Sequence, residues 1–349
     1  ASDRILRSRG DGSYESWRSV ADMSDRPNYG FGVIIANFDR QHGNDLFISN
    51  DGDLNHFWTT TTAADQGTSG QTDSRFSMIE SAGIRGCSIG MGGRALGCMG
   101  VAAADFDRNQ TIDLHVTNFF NEPVNLYLQT ESGFFIDSAF KFGLVDTTKG
   151  FLGFGTQAAD FDNDGWIDIA VLNGHIYDAR YANVPFRMKP QLFCGGRDGL
   201  VLQDYRKAGP YWDQPRLGRT LAMLDWNRDG RIDLLANHLD HPLTLLQNRS
   251  ETKHWIQLEL VGTASERDAI GAEVTLHAGA EQWTSWQFGG DGYMCSNEPI
   301  VHFGIGDAPL AERVEVRWPS GQQQVFRNVL ANHRYLVIEN ADKLVFREN

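Results

Sequence analysis

The sequence predicts an all-β protein: a β-propeller of about four to five blades, with closure of the ring left open, followed by a small β-sandwich or barrel. Three observations predict it. An acidic loop of one spacing begins at residues 37, 105, 160 and 225, a period of 55 to 68 residues. Each copy is entered and left by a short apolar strand, so four short strands fit in one repeat, as in a propeller blade. Beyond Ser250 the loops stop, and segments of alternating polarity follow.

The clearest loop is Asp160-Phe161-Asp162-Asn163-Asp164-Gly165-Trp166-Ile167-Asp168. Asp160, Asp162, Asp164 and Asp168 stand at positions 1, 3, 5 and 9, and the carbonyl of Trp166 is a further candidate ligand. A hard divalent cation takes six to eight oxygens, which closely spaced aspartates supply. Gly165 permits the positive φ that wraps the chain round an ion. An EF-hand would place Glu at position 12 between helices, whereas position 12 is Val171 and the flanks read as strands. The pattern predicts a calcium loop between two strands. An Asp/Gly-rich turn without metal is the alternative for any single copy.

The other copies carry the remaining candidate ligands. These are Asp105, Asp107, Asn109, Thr111 and Asp113, with Gln110 in place of Gly; then Asp225, Asn227, Asp229, Arg231 and Asp233. The weakest is Asn37, Asp39, Gln41, Gly43 and Asp45, with its Gly displaced by one. Together the loops hold twelve carboxylates, and four bound Ca²⁺ would move the formal net charge from −14 to −6. Carboxylate count predicts that the loop at 160 binds most tightly, those at 105 and 225 next, and that at 37 least.

The entering strands are Phe31 to Ala36, Met99 to Ala104, Phe154 to Ala159 and Arg219 to Leu224; the leaving strands begin at the ninth loop residue. Third strands are expected at 124–128 and 243–246, and fourth strands at 134–138 and 199–203. Residues 4–7 and 13–17 read as the last two strands of a blade. They would either complete the blade begun at 219, closing the ring across the termini, or mark a truncated chain. The chain opens in mid-repeat, which points to processing or truncation. Arg9-Gly10-Asp11 reads as turn chemistry between those strands. Asn109 and Asn248 head glycosylation sequons, and the first lies inside a calcium loop. Residues 177–189 form an aromatic and basic insertion, read as a loop packed on a propeller face or a partner site.

A net charge of −14 argues against nucleic acid and anionic membranes as partners. No run of 18 apolar residues exists, so no transmembrane helix is expected. The four cysteines are candidates for two disulfides, Cys87 with Cys98 and Cys194 with Cys295, or for free buried thiols. Calcium loops suit millimolar extracellular calcium, so an extracellular, periplasmic or cell-surface location is expected.

The composition shift divides the chain into a propeller over 1–250 and a β domain over 251–349. Strands are expected at 254–260, 272–277, 282–286, 300–303, 313–318, 324–326 and 334–338. Val314, Val316 and Trp318 alternate with charged residues, as in a half-buried strand.

The loops with their flanks resemble FG-GAP/VCBS repeats, the integrin-α-like calcium propellers. The C-terminal part resembles the ASPIC/UnbV domain, carried by Gly262-Thr263, Arg267-Asp268, Gly289-Gly290-Asp291-Gly292-Tyr293, His302-Phe303-Gly304 and Arg317-Trp318-Pro319-Ser320-Gly321. The resemblance implies secreted calcium-binding proteins. Three functions are carried forward. The first is an interaction or scaffold module for a protein or glycan, with structural calcium. The second is a hydrolase or lyase in the propeller channel, using His175, His238, Asp240 and His241; His302 reads as a hydrogen-bonded strand residue. The third is a subunit of a larger extracellular assembly.

Overall fold

The four apolar segments that enter the acidic loops become the innermost strands of four successive antiparallel sheets. A computed structural model describes residues 6–16, 28–41, 43–62, 76–251 and 253–347. Blade I is built from Gly30–Ala36, Asp45–Asp53, His56–Thr62 and Phe76–Glu80, in that order. Blade II is Val101–Ala104, Asp113–Val116, Asn125–Gln129 and Phe135–Asp137. Blade III is Gly153–Ala159, Asp168–Asn173, Gln191–Cys194 and Val201–Leu202. Blade IV has only three strands, Gly218–Leu224, Asp233–His238 and Thr244–Leu246.

Sheet packing explains the composition of the inner strands. Val101 and Ala103 face the core shared with blade I, while Ala102 and Ala104 face the core shared with blade III. A strand buried on both faces reads as an unbroken apolar run, and small residues let the sheets approach at the hub. Ala170 and Leu172 of blade III meet Leu221, Leu234 and Ala236 of blade IV in the same way.

The aromatic at loop position 2 reports where the ring stops. Phe38, Phe106 and Phe161 are buried. Their counterpart in blade IV, Trp226, is 54% exposed. Among the described residues, the hairpin Leu6–Ser8 with Tyr14–Ser16 pairs only within itself and not with blade IV. Arg4, Ile5 and Trp17 lie outside the described residues. Arg9-Gly10-Asp11 forms the expected turn, with Asp11 accepting from the Ser13 amide and hydroxyl.

The C-terminal domain is a sandwich of two four-stranded sheets. One has the order Val301–Gly304, Trp255–Val261, His333–Ile338 and Val345–Phe346; the other Glu281–Trp286, Glu273–Ala278, Leu310–Arg317 and Gln323–Leu330. Val274, Leu276, Val314, Val316 and Trp318 from one sheet meet Ile256, Leu258, Phe303 and Val337 from the other in a single core. All seven expected strands are present.

A segment of this domain runs through the hub of the blades. Gly289–Gly290 adds to the inner edge of blade I opposite Ile34 and Ile35. Gly292 bridges Val101 of blade II. The Cys295 thiol donates to the Leu221 carbonyl at 3.2 Å, and Asn297 joins Gln157 of blade III to the Met223 amide of blade IV. The two domains therefore share a continuous hydrogen-bonded core.

His115 lies fully buried between blades II and III, with Nδ1 2.9 Å from the Thr156 hydroxyl. Burial pushes its imidazole down to about 3. The unfolded chain takes up this proton near pH 6.5 and the folded chain does not, so stability falls as pH drops from 6.5 towards 3. Relative to His115→Gln, the wild type should lose about 2 kcal/mol between pH 7 and pH 5, measured by urea unfolding at each pH.

Candidate metal centre

The ninth loop residue plays one role in all four copies. Its carboxylate accepts the amide of position 2 through one oxygen and an amide in the third strand or just beyond it through the other. In blade I, Asp45 accepts from Phe38 at 3.1 Å and Thr60 at 2.9 Å. Asp113 accepts from Phe106 at 2.8 Å and Gln129 at 2.7 Å. Asp168 accepts from Phe161 at 2.9 Å and Gly195 at 2.7 Å, and Asp233 from Trp226 at 3.2 Å and Asn248 at 2.7 Å. All four are buried. The backbone repeats as well: the fourth loop residue, Arg40, Arg108, Asn163 or Arg228, has a positive φ in every copy. Gln110 takes φ 69° where Gly165 and Gly230 take 94° and 81°.

The loops differ in what they gather. Asp105, Asp107 and Asp113 bring carboxylate oxygens within 4.8 Å of one another, as do Asp160, Asp162 and Asp168. Among the described residues these are the two such groups. Asp164 stands outside its cluster, accepting from the Trp166 amide. Asn109 turns its oxygen to the Thr111 amide at 2.8 Å. In blade IV, Arg231 places its guanidinium 2.6 Å from Asp229, and Asn227 and Gln257 donate to Asp229 and Asp225. In blade I, Asn37 donates to the Gln41 carbonyl, Gln41 donates to Asp39, and Gly43 (φ 93°) lies against Thr60. The structure therefore separates the loop at 225 from that at 105, which equal carboxylate counts had placed together.

Burial governs the electrostatics. It pushes Asp168 up to about 8 and Asp45 and Asp105 up to about 7. Asp113 and Asp160 rise well above the usual carboxylate range, through burial and then through the neighbouring carboxylates. Such a group needs either protons or a cation. The clustered donors are all carboxylate oxygens, with no histidine or cysteine among them. That donor set fits a hard cation such as Ca²⁺ and not a soft one.

All four loops face the C-terminal sandwich. Asn44 donates to the Ile270 carbonyl, and Arg40 pairs with Glu273 at 2.8 Å. Arg108 lies between the rings of Trp166 and Trp283, 5.0 and 5.1 Å from their centroids, and pairs with Glu281 at 2.7 Å. Trp283 donates to the Gly165 carbonyl, and His302 sits 2.7 Å from the Asn163 side chain. Gln257 reaches Asp225. The candidate metal sites thus lie at the seam between the domains. No sequence signal marked this docking.

Of the residues considered for catalysis, His238, Asp240 and His241 lie together, the two imidazole rings 6.1 Å apart, and each is engaged by neighbours, while His175 stands apart. His175 is packed among Phe119, Phe120 and Tyr177. His238 hydrogen-bonds Tyr211, while His241 pairs with Asp240, which also holds Arg187. The C-terminal end of the insertion packs by Met188 against Leu152 and Phe154 and bridges Arg216, while Tyr177 and Tyr181 at its start are exposed. The cysteine pairs are not formed: all four cysteines are free, with Cys87 and Cys98 buried in the core between blades I and II. Asn248 donates its amide to the carbonyls of Phe161 and Ile232, so its side chain is tied to the loops of blades III and IV.

Residues 262–344 match the family described as ASPIC and UnbV. The chain is similar to cartilage acidic protein 1 of Homo sapiens, 32% identical over 251 residues, covering 69% of this chain and 35% of that protein. The proteins of that name from Mus musculus and Xenopus tropicalis are each 31% identical, covering 69% and 64% of this chain and 36% and 34% of theirs. The chain spans about a third of the length of these relatives. No helix of the described residues is long and apolar enough to cross a membrane.

Proposed function

We propose that the chain is an extracytoplasmic calcium-stabilised interaction or scaffold module with FG-GAP/VCBS-like blades, its calcium held in the loops of blades II and III. The observation that carries this reading is the pair of three-aspartate clusters placed against the sandwich, in each of which the first and ninth loop residues are buried and the third is open to solvent or half-buried. Asp105, Asp107 and Asp113 would hold one ion, and Asp160, Asp162 and Asp168 the other. The ions would neutralise charge that otherwise opposes closure of the seam. Each site is walled by the second domain, so the calcium is structural. Similarity to cartilage acidic protein 1 is consistent with an interaction or scaffold role.

With the acidic edge covered, a protein or glycan partner would meet the opposite face. There Phe31, Tyr177, Tyr181 and Met294 are exposed. A place in a larger assembly is favoured by one observation, the open flank of blade IV with Trp226 and Leu245 exposed.

Thermal unfolding with and without chelator tests the calcium reading. At about 100-fold over Kd each ion contributes about 2.7 kcal/mol, so removing two should lower Tm by roughly 7 °C. Calcium should restore the Tm, and equimolar magnesium, which demands a smaller octahedral cage, should not. An unchanged Tm in chelator would contradict the reading.

A further inference from the structure

We propose that a cavity at the seam, which shares Asp160 with the loop of blade III, binds a compact apolar amine. The cavity has a volume of about 420 Å³, within the range of small-ligand sites. Its apolar walls come from Ala104 and Ala158 of the inner strands, Met223 and Ile232 of blade IV, and Trp286 and Ile300 of the sandwich. None of the residues lining it is a lysine or arginine, whereas Asp160, Asp268, Asp291 and Glu298 all do.

Two buried acceptors in this lining lack partners. Asp291 is 8% exposed, and its Oδ1 has no hydrogen-bond partner. Its other oxygen takes the Asn297 amide at 3.2 Å. Asn297 cannot also serve Oδ1, because its nitrogen reaches Gln157 and its oxygen takes the Met223 amide. The second acceptor is Nδ1 of His302, likewise buried and unpartnered. Asn163 donates its amide nitrogen to the Gly230 carbonyl, which turns Asn163 Oδ1 towards His302 Nε2. Nε2 must then carry the proton, and Nδ1 is left as an acceptor. Glu298 is already paired with Arg334, and Asp160 takes the amides of Asp164 and Gly165.

A buried acceptor without a donor is costly, so the site favours a ligand that brings one. An ammonium group supplies up to three N–H donors and the charge that the acidic lining lacks. The apolar walls select a small aryl or alkyl body behind it. The site thus recognises a primary amine on a compact hydrocarbon group.

The probe is 2-phenylethylamine, compared with ethylbenzene, on the full chain in calcium buffer. Binding is read by calorimetry and by the fluorescence of buried Trp286. Saturable one-to-one binding of the amine, at least tenfold tighter than ethylbenzene, is expected. Asp291→Asn should remove that preference while leaving ethylbenzene unchanged. Ala104→Leu, which fills the wall, should weaken both probes and serves if Asp291→Asn does not fold. Equal amine affinity in the wild type and Asp291→Asn would overturn the proposal. So would a failure of both probes to saturate, which would leave the acceptors to bound water.

Discussion

Replacing Asp168 by alanine is expected to destabilise the calcium-loaded protein by about 4–6 kcal/mol, more than the same change at Asp233. Both residues accept two backbone amides, at nearly the same distances. Either substitution leaves two buried donors unpartnered, at about 1–3 kcal/mol each. Asp168 also belongs to a three-carboxylate cluster, which Asp233 does not. The excess at Asp168 over Asp233 therefore measures the metal. It should vanish in chelator, where only the amide contacts remain. Urea unfolding of both variants, with calcium and with chelator, checks this. An excess that persists unchanged in chelator would assign the whole cost to the amides and sink the metal reading of blade III.

The second large effect is expected at Gly290. This residue has φ 85° and pairs with Ile34, and a Cβ there would lie 2.1 Å from the Val33 carbonyl oxygen. The contact is with backbone, so nothing can swing aside. Gly290→Ala should cost about 3 kcal/mol or more, combining left-handed strain with loss of the strand pairing. Gly279 supplies the control, with φ 60° and open space around its Cβ position. Gly279→Ala should cost only the backbone strain, about 1 kcal/mol. Limited proteolysis should cut the 287–298 segment in Gly290→Ala and not in Gly279→Ala. Equal costs for the two substitutions would mean that the hub segment does not hold the blades together.

Much of this architecture is written in local pattern. Aspartates at positions 1, 3, 5 and 9 require a particular turn, and the turn requires strands on both sides. The four loops and the eight strands that flank them were therefore legible. Alternation did the same for the sandwich, where Val314 and Val316 point into one core. Other features depend on contacts between distant residues. Arg231 stood in the sequence only as a carbonyl donor, yet its side chain neutralises Asp229. Of the outer strands of blade I, His56–Thr62 ends in a threonine run and Phe76–Glu80 is only five residues long, too short for its alternation to stand out. The hub segment is short, glycine-rich and unpatterned, and its strand exists only because blade I offers an open inner edge. Gln110 showed the opposite case. A non-glycine residue at the turn adopts the repeat's conformation because Asp105 holds its amide at 2.9 Å.

The most direct measurement is a count of bound calcium by native mass spectrometry on the wild type, Asp107→Ala and Asp162→Ala. Asp107 and Asp162 each belong to one three-carboxylate cluster, and neither is the ninth residue that ties the loop to the third strand. Two calcium ions are expected on the wild type and one on each variant. A wild type that carries none, or variants that keep both ions, would contradict the assignment of structural calcium to the loops of blades II and III.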